Sequence, residues 1–109
     1  MLAKKYRLPI QNFVGKKGGS KKSRYFLLKI FPGVHKFSRF GIIISSKVSK
    51  KAVDRNRIKR RIFNFVREIK NQLPLNDYLI IVHPEASKLN KKELVKEISE
   101  IFKIRNFKL

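Results

Sequence analysis

The sequence predicts an α+β fold, one sheet covered by helices in a single domain spanning residues 1–109. Three observations lead there. Three short runs, YFLLKIF (Tyr25 to Phe31), RFGIIISS (Arg39 to Ser46) and YLIIVH (Tyr78 to His83), are dense in β-branched and aromatic residues, which suit a pleated, half-buried surface. Between the second and third, the segment from Lys51 to Leu73 carries its apolar residues at a helical period. A chain of 109 residues with 42% apolar residues has material for one core and not for two, and too much of it for general disorder.

Taken in order, Leu8 to Val14 reads as one or two helical turns ended by Gly15, and GKKGGSKKS (Gly15 to Ser23) as a mobile basic loop. Tyr25 to Phe31 is a strand stopped by the turn dipeptide Pro32-Gly33. Alternation puts Phe26, Leu28 and Ile30 on one face and Tyr25, Leu27, Lys29 and Phe31 on the other. The near-continuous apolar character of the strands suggests a sheet covered on both faces. In the central helix, Ile58, Ile62, Phe65, Val66, Ile69 and Leu73 fall within one arc of about 100°, with Ser49 as N-cap and Pro74 as terminator. Arg57, Arg60, Arg61, Asn64 and Arg67 occupy the opposite arc; Arg55, Asn56, Lys59, Phe63 and Lys70 lie on its flanks or beyond. A last helix starts at Asn90, where Glu93 three residues on completes a capping box, and buries Leu94, Val95, Ile98, Ile101 and Phe102.

Charge dominates the composition. The chain has 28 Lys plus Arg against 7 Asp plus Glu, a net +21. The excess is uneven: residues 1–72 carry +19 and residues 73–109 only +2. A polyanion, most simply nucleic acid, is the implied partner. There is no Cys, which excludes disulfides and Cys-held zinc. No signal-peptide core and no bilayer-length apolar run is present, so a cytoplasmic location is expected. An anionic membrane is the competing polyanion, but the apolar stripe of the central helix is needed to cover the sheet.

Catalysis by the protein itself is disfavoured. Two-metal phosphodiester chemistry needs converging carboxylates, and the first 72 residues hold only Asp54 and Glu68. No catalytic or metal-ligating residue is therefore assigned. His35 and His83 are the one alternative, as an acid/base pair, although one falls in a turn and the other at a strand end. GKKGGSK fails as a phosphate loop because Ser20 stands where the second Gly is required.

RNRIKRR (Arg55 to Arg61) is the feature left to explain. Lys47 to Arg61 holds eight basic residues and one acid. Like charges at adjacent helical positions repel by tenths of a kcal/mol per pair, roughly, unless a polyanion relieves them. Arg offers bidentate contacts to phosphate, which suits positioning on a backbone more than reading sequence. A ribosomal or other structural RNA-binding protein fits this reading, as does an RNA-processing one.

RFGIIISSKVSKKAVDRNRIKRR (Arg39 to Arg61), followed by DYLIIVHP (Asp77 to Pro84) and a capped C-terminal helix, resembles the bacterial ribonuclease P protein subunit, over nearly the whole chain. The resemblance implies a ribosomal-protein-like α/β sandwich of order α-β-β-β-α-β-α with a left-handed β-α-β crossover, so one further strand precedes the central helix. It implies a partner, ribonuclease P RNA, that carries the catalysis with Mg²⁺ held mainly by RNA, and a substrate, precursor tRNA, whose 5′ leader is removed; no protein partner is required. By the same resemblance, Arg55, Asn56, Arg57, Lys59, Arg60, Arg61 and Arg67 contact the catalytic RNA. A cleft between sheet and central helix holds the single-stranded leader, with Phe13, Leu27, Lys29 and Lys47 as its residues. The chain departs from the family pattern in a shortened segment from Arg7 to Ser23 with one Phe where two are common. Lys29 stands where Tyr is common, and Phe63 where a further Arg is frequent. Phe63 is expected either to stack on RNA or to pack under the N-terminal segment.

Overall fold

The computed structural model describes residues 3–13 and 15–103; Val14, the predicted end of the first helical segment, lies outside them. Four strands, β1 (Gly19–Lys22), β2 (Phe26–Pro32), β3 (Arg39–Ile43) and β4 (Asn76–Val82), form one sheet in the order β1-β2-β4-β3. The two strands apolar on both faces, β2 and β4, take the middle and pair antiparallel from Phe26 opposite Val82 to Pro32 opposite Asn76. β1 flanks β2 antiparallel, and β3 flanks β4 in parallel. A parallel neighbour needs a crossover, and helix α1 (Ala52–Ile69) supplies it. Helix α2 (Lys91–Ile101) packs beside α1, its Asn90 and Glu93 forming the predicted reciprocal cap at 2.8 and 3.0 Å.

Alternation along the strands splits the core in two. On the inner face, Phe26, Leu28, Phe40 and Ile80 pack with Ile62, Phe65, Val66 and Ile69 of α1 and Leu94 and Ile98 of α2. On the outer face a smaller cluster joins Phe31 and Leu79 to Leu8 and Phe13. The N-terminal segment that brings these two is a pair of single 3-10 turns, Lys4–Tyr6 and Ile10–Asn12. Between the turns, Leu8 N–H donates to Phe40 C=O at 2.8 Å and Arg7 bridges Phe40 in parallel along the edge of β3. Pro9, with fixed φ and no N–H, limits helix here to single turns.

That crossing requires Gly41. A Cβ there would stand 2.9 Å from Ile10 Cγ1 and 3.2 Å from Leu8 Cβ and Leu79 Cδ1. Gly41→Val should therefore destabilise the fold by about 1–3 kcal/mol through overpacking, read as a lowered urea midpoint. Early loss of protection at the Leu8 amide in hydrogen exchange would locate the damage at the N-terminal segment.

Several sequence expectations need correction. The third strand before α1 is β1, inside GKKGGSKKS, whose composition alone indicates a mobile loop. It carries no apolar residue; its backbone ladder to β2 holds it, and a Cβ at Gly18 would come within 2.6 Å of Ile30 C=O. Its Lys21 and Lys22 suit an edge strand, where charge discourages pairing with other chains. β3 ends at Ile43 instead of Ser46. Ser49 does not cap α1; Lys51 occupies the N-cap position. The Ser49 hydroxyl instead accepts from Lys51 N–H at 3.3 Å and donates to Asp54 Oδ2 at 3.2 Å. The helix ends at Ile69, and a 3-10 turn, Lys70–Gln72, completes the predicted length. Phe63 is only 4% exposed. It lines a small hollow with Arg7, Leu8 and Ile10, which is the second of its two expected roles; no free ring is left for stacking on RNA.

Candidate nucleic-acid interface

Helical phasing delivers the basic residues of α1 to three places. Arg57, Arg60, Arg61 and Arg67 line a groove of about 910 Å³ between α1 and α2, together with Asn64, Phe65, Glu68, Lys91, Lys92 and Val95. Six cations therefore face one acid in the lining. Asp54 lies 3.8 Å from Arg57 and Glu68 lies 3.9 Å from Arg67, all four side chains being substantially exposed, so these pairs hold little against a competing phosphate. Among the described residues, Arg60 and Arg61 have no ion pair or hydrogen bond within the protein. Arg55 is turned elsewhere: its Nη1 donates to Ser49 C=O at 2.7 Å, bracing the turn into α1. Lys59 lies on the other flank, its Nζ 6.0 Å from the Phe63 ring and close to Arg7 and Leu8. Asn56 is exposed on the helix surface.

Lys91 and Lys92 escaped the sequence reading, which took α2 for packing alone. They occupy the first turn of α2, where the helix dipole disfavours cations. An anion in the groove relieves both that mismatch and the crowding of the Arg side chains. The available signal was the Lys-Lys pair at the start of an otherwise acidic-faced helix.

The second surface is the outer face of the sheet. Register aligns Lys22, Leu27, Ile81 and Ile43 in one row across the four strands, and Ser20, Lys29, Leu79 and Gly41 in the next. Leu27, Ile43 and Ile81 are half-buried, making an apolar floor about 10 Å across at ordinary strand spacing, with Lys22 and Lys29 on one side. Lys47 is exposed in the turn that follows β3, at the same end of the sheet. Phe13 belongs to the covered part: 8% exposed, it packs on Phe31 at 5.1 Å with the Arg39 guanidinium 5.7 Å from its ring. The expected position of the cleft also changes. The face shared by Leu27 and Lys29 is bordered by the N-terminal segment, because α1 packs against the opposite face. Ile43, Ile81 and Lys22 join it through strand register, which a single sequence does not display.

The pairing of His35 with His83 is contradicted. His35 lies in the β2–β3 loop beyond Pro32, which pairs with Asn76, whereas His83 follows Val82 and donates its N–H to Tyr25 C=O. The length of β4 separates them, about 20 Å at strand rise. Among the described residues no three His, Asp or Glu side chains lie close enough together to hold a metal ion between them. No helix among them is long and apolar enough to cross a membrane.

The Ribonuclease P family model matches residues 5–105 of the chain. The ribonuclease P protein component of Pseudanabaena sp. is 38% identical over 87 residues, covering 78% of this chain and 75% of that protein. That of Synechocystis sp. is 42% identical over 66 residues, covering 60% of this chain and 53% of that protein. The matched stretch thus spans about half the length of the Synechocystis relative. A Staphylococcus aureus RNase P protein, a mutant with defective mRNA degradation activity, superposes with a TM-score of 0.83 at 27% identity, over 93% of this chain and 88% of that one. The Thermotoga maritima RNase P protein, solved with 1-(4-fluorophenyl)-2-thiourea, shares the fold with a TM-score of 0.81 at 23% identity, over 92% and 100% of the two chains.

Proposed function

This chain belongs to the ribonuclease P protein family, and from that premise we propose that it is the protein subunit of a ribonucleoprotein endonuclease. In this reading it binds ribonuclease P RNA and promotes removal of the 5′ leader from precursor tRNA, in the cytoplasm and with no further protein required. The observation that carries the proposal is the groove between α1 and α2, where six cations converge with one acid. Arg57, Arg60, Arg61 and Arg67 hold phosphates of the catalytic RNA by bidentate contacts, and Lys91 and Lys92 add point charges on the opposite wall. Arg55 contributes by fixing the turn into α1. Asn56 and Lys59 extend the contact around the helix.

The outer trough takes the leader. Leu27, Ile43 and Ile81 give bases an apolar surface, while Lys22, Lys29 and Lys47 track the sugar-phosphate backbone, the combination that suits single strands without strong sequence preference. Phe13 supports the trough by packing on Phe31. Mg²⁺ belongs to the RNA partner in this reading, and no proton transfer or metal ligation is assigned to the protein.

The test is cleavage of precursor tRNA by ribonuclease P RNA at low Mg²⁺, with and without the purified protein. Stimulation by the protein, with no cleavage by protein alone, is the expected outcome. RNA binding without any stimulation would point instead to a structural RNA-binding protein. As a finer check, Leu27→Asp in the trough should weaken binding of leader-bearing precursor by about tenfold while leaving mature tRNA unaffected, since it removes an apolar contact of about 1.5–3 kcal/mol when fully buried and sets a carboxylate against the leader phosphates. Equal loss for both RNAs would remove the leader from this face.

A further inference from the structure

The end of the molecule where the β2–β3 loop meets the end of α1 carries an aromatic stack edged by lysines, apart from both surfaces above. His35 and Phe37 lie parallel, ring centroids 5.3 Å apart and planes 12° from each other. Tyr6 meets Phe37 edge-on at 5.4 Å. Lys5 Nζ stands 4.9 Å from the Tyr6 ring centre and 5.5 Å from that of Phe37, and Lys70 Nζ stands 4.6 Å from Tyr6. Lys36, Lys70, Tyr6 and Phe37 share a hollow of about 270 Å³ whose lining contains no acid.

Burial grades across the stack. Tyr6 and Phe37 are half-buried and fixed by their mutual contact, whereas His35 is exposed, so its ring face turned away from Phe37 meets solvent. The result is a flat, supported π surface beside three lysines that, among the described residues, form no ion pair. We propose that this end of the protein binds an unpaired nucleotide of its RNA partner, the base stacking on His35 and the flanking phosphates held by Lys5, Lys36 and Lys70. Stacking needs only a π face and is therefore indifferent to base identity, and the lysines supply the backbone attraction. A membrane surface fits less well: Val34 and Leu75 are exposed at this end, but Phe37 is turned inward on Tyr6 instead of outward as a lipid-inserting ring would be.

The site lies at the end of the sheet opposite Leu27 and Lys47, so it takes a different nucleotide from the trough. The inference rests on the RNA-binding reading above. Full-length protein is mixed with ribonuclease P RNA and precursor tRNA, each substituted in turn with 4-thiouridine, irradiated, and the crosslinked peptides mapped. Crosslinks at His35 to Phe37 are expected, abolished by His35→Ala and retained by His35→Phe, with RNA affinity about five- to tenfold lower for the Ala variant only. Crosslinks confined to α1 and the outer trough would overturn this site while leaving the RNA-binding reading intact. No crosslinks anywhere would overturn both. Loss of binding to phosphatidylserine vesicles in His35→Ala, with RNA affinity unchanged, would assign this end to a membrane instead.

Discussion

Asp77→Ala should lower the unfolding free energy by about 3 kcal/mol, near the lower end of what breaking a buried ion pair costs. Asp77 is 1% exposed, and its two oxygens accept Arg39 Nε at 3.0 Å and Nη2 at 2.8 Å. The pair sits across the β3–β4 ladder, where Arg39 and Asp77 are register partners, and it holds the guanidinium pKa above its ordinary value chiefly through the hydrogen bonds to Asp77. Removing the carboxylate leaves a cation with 15% side-chain exposure, partly reachable by water, which keeps the loss from being larger. For a chain of this size the melting temperature should fall by roughly 12 °C or more. Arg39→Leu combined with Asp77→Leu should recover most of that loss, because an apolar pair needs no compensating charge. If the double variant melts no higher than Asp77→Ala alone, packing of the Asp77 side chain, and not its charge, holds this end of the sheet.

The Arg39–Asp77 pair also depends on a contact that no local sequence pattern carries. The two residues are 38 positions apart, and nothing local to either announces the other. What was legible rested on periodicity or on local chemistry. Ile62, Phe65, Val66 and Ile69 fell on the core arc of α1, the Asn90–Glu93 cap formed as its spacing indicates, and Leu27 and Lys29 faced away from Phe26 and Leu28. β1 was illegible because its stability comes from backbone pairing with β2 and close approach at Gly18, neither of which leaves an apolar pattern. Phe63 was assigned to a polar flank because a helical wheel sees only the sheet; the N-terminal segment that covers this flank is fixed by Leu8 and Gly41.

The same distinction separates the basic residues that RNRIKRR presents as equivalents. On the folded helix Arg55 is engaged with Ser49 C=O and Lys59 lies toward the N-terminal segment. Arg57, Arg60, Arg61 and Arg67 share the groove with Lys91 and Lys92. Binding to ribonuclease P RNA through all six should give log affinity against log salt a slope near −5, a loss of about a thousandfold between 50 and 200 mM. Changing Arg57, Arg60, Arg61 and Arg67 together to Gln should remove about 3–4 from that slope, whereas Lys91→Gln with Lys92→Gln should remove about 1.5–2. Melting temperatures should hold or rise in both variants, since these side chains point away from the core and their mutual repulsion is relieved. Arg60→Lys with Arg61→Lys should keep the slope but weaken binding at every salt concentration, because the charge remains while the bidentate fork is lost. A wild-type slope unchanged by the four Arg substitutions would place the RNA contact elsewhere on the molecule. An unchanged slope in the Lys91 and Lys92 variant would confine the contact to α1 and leave α2 as packing.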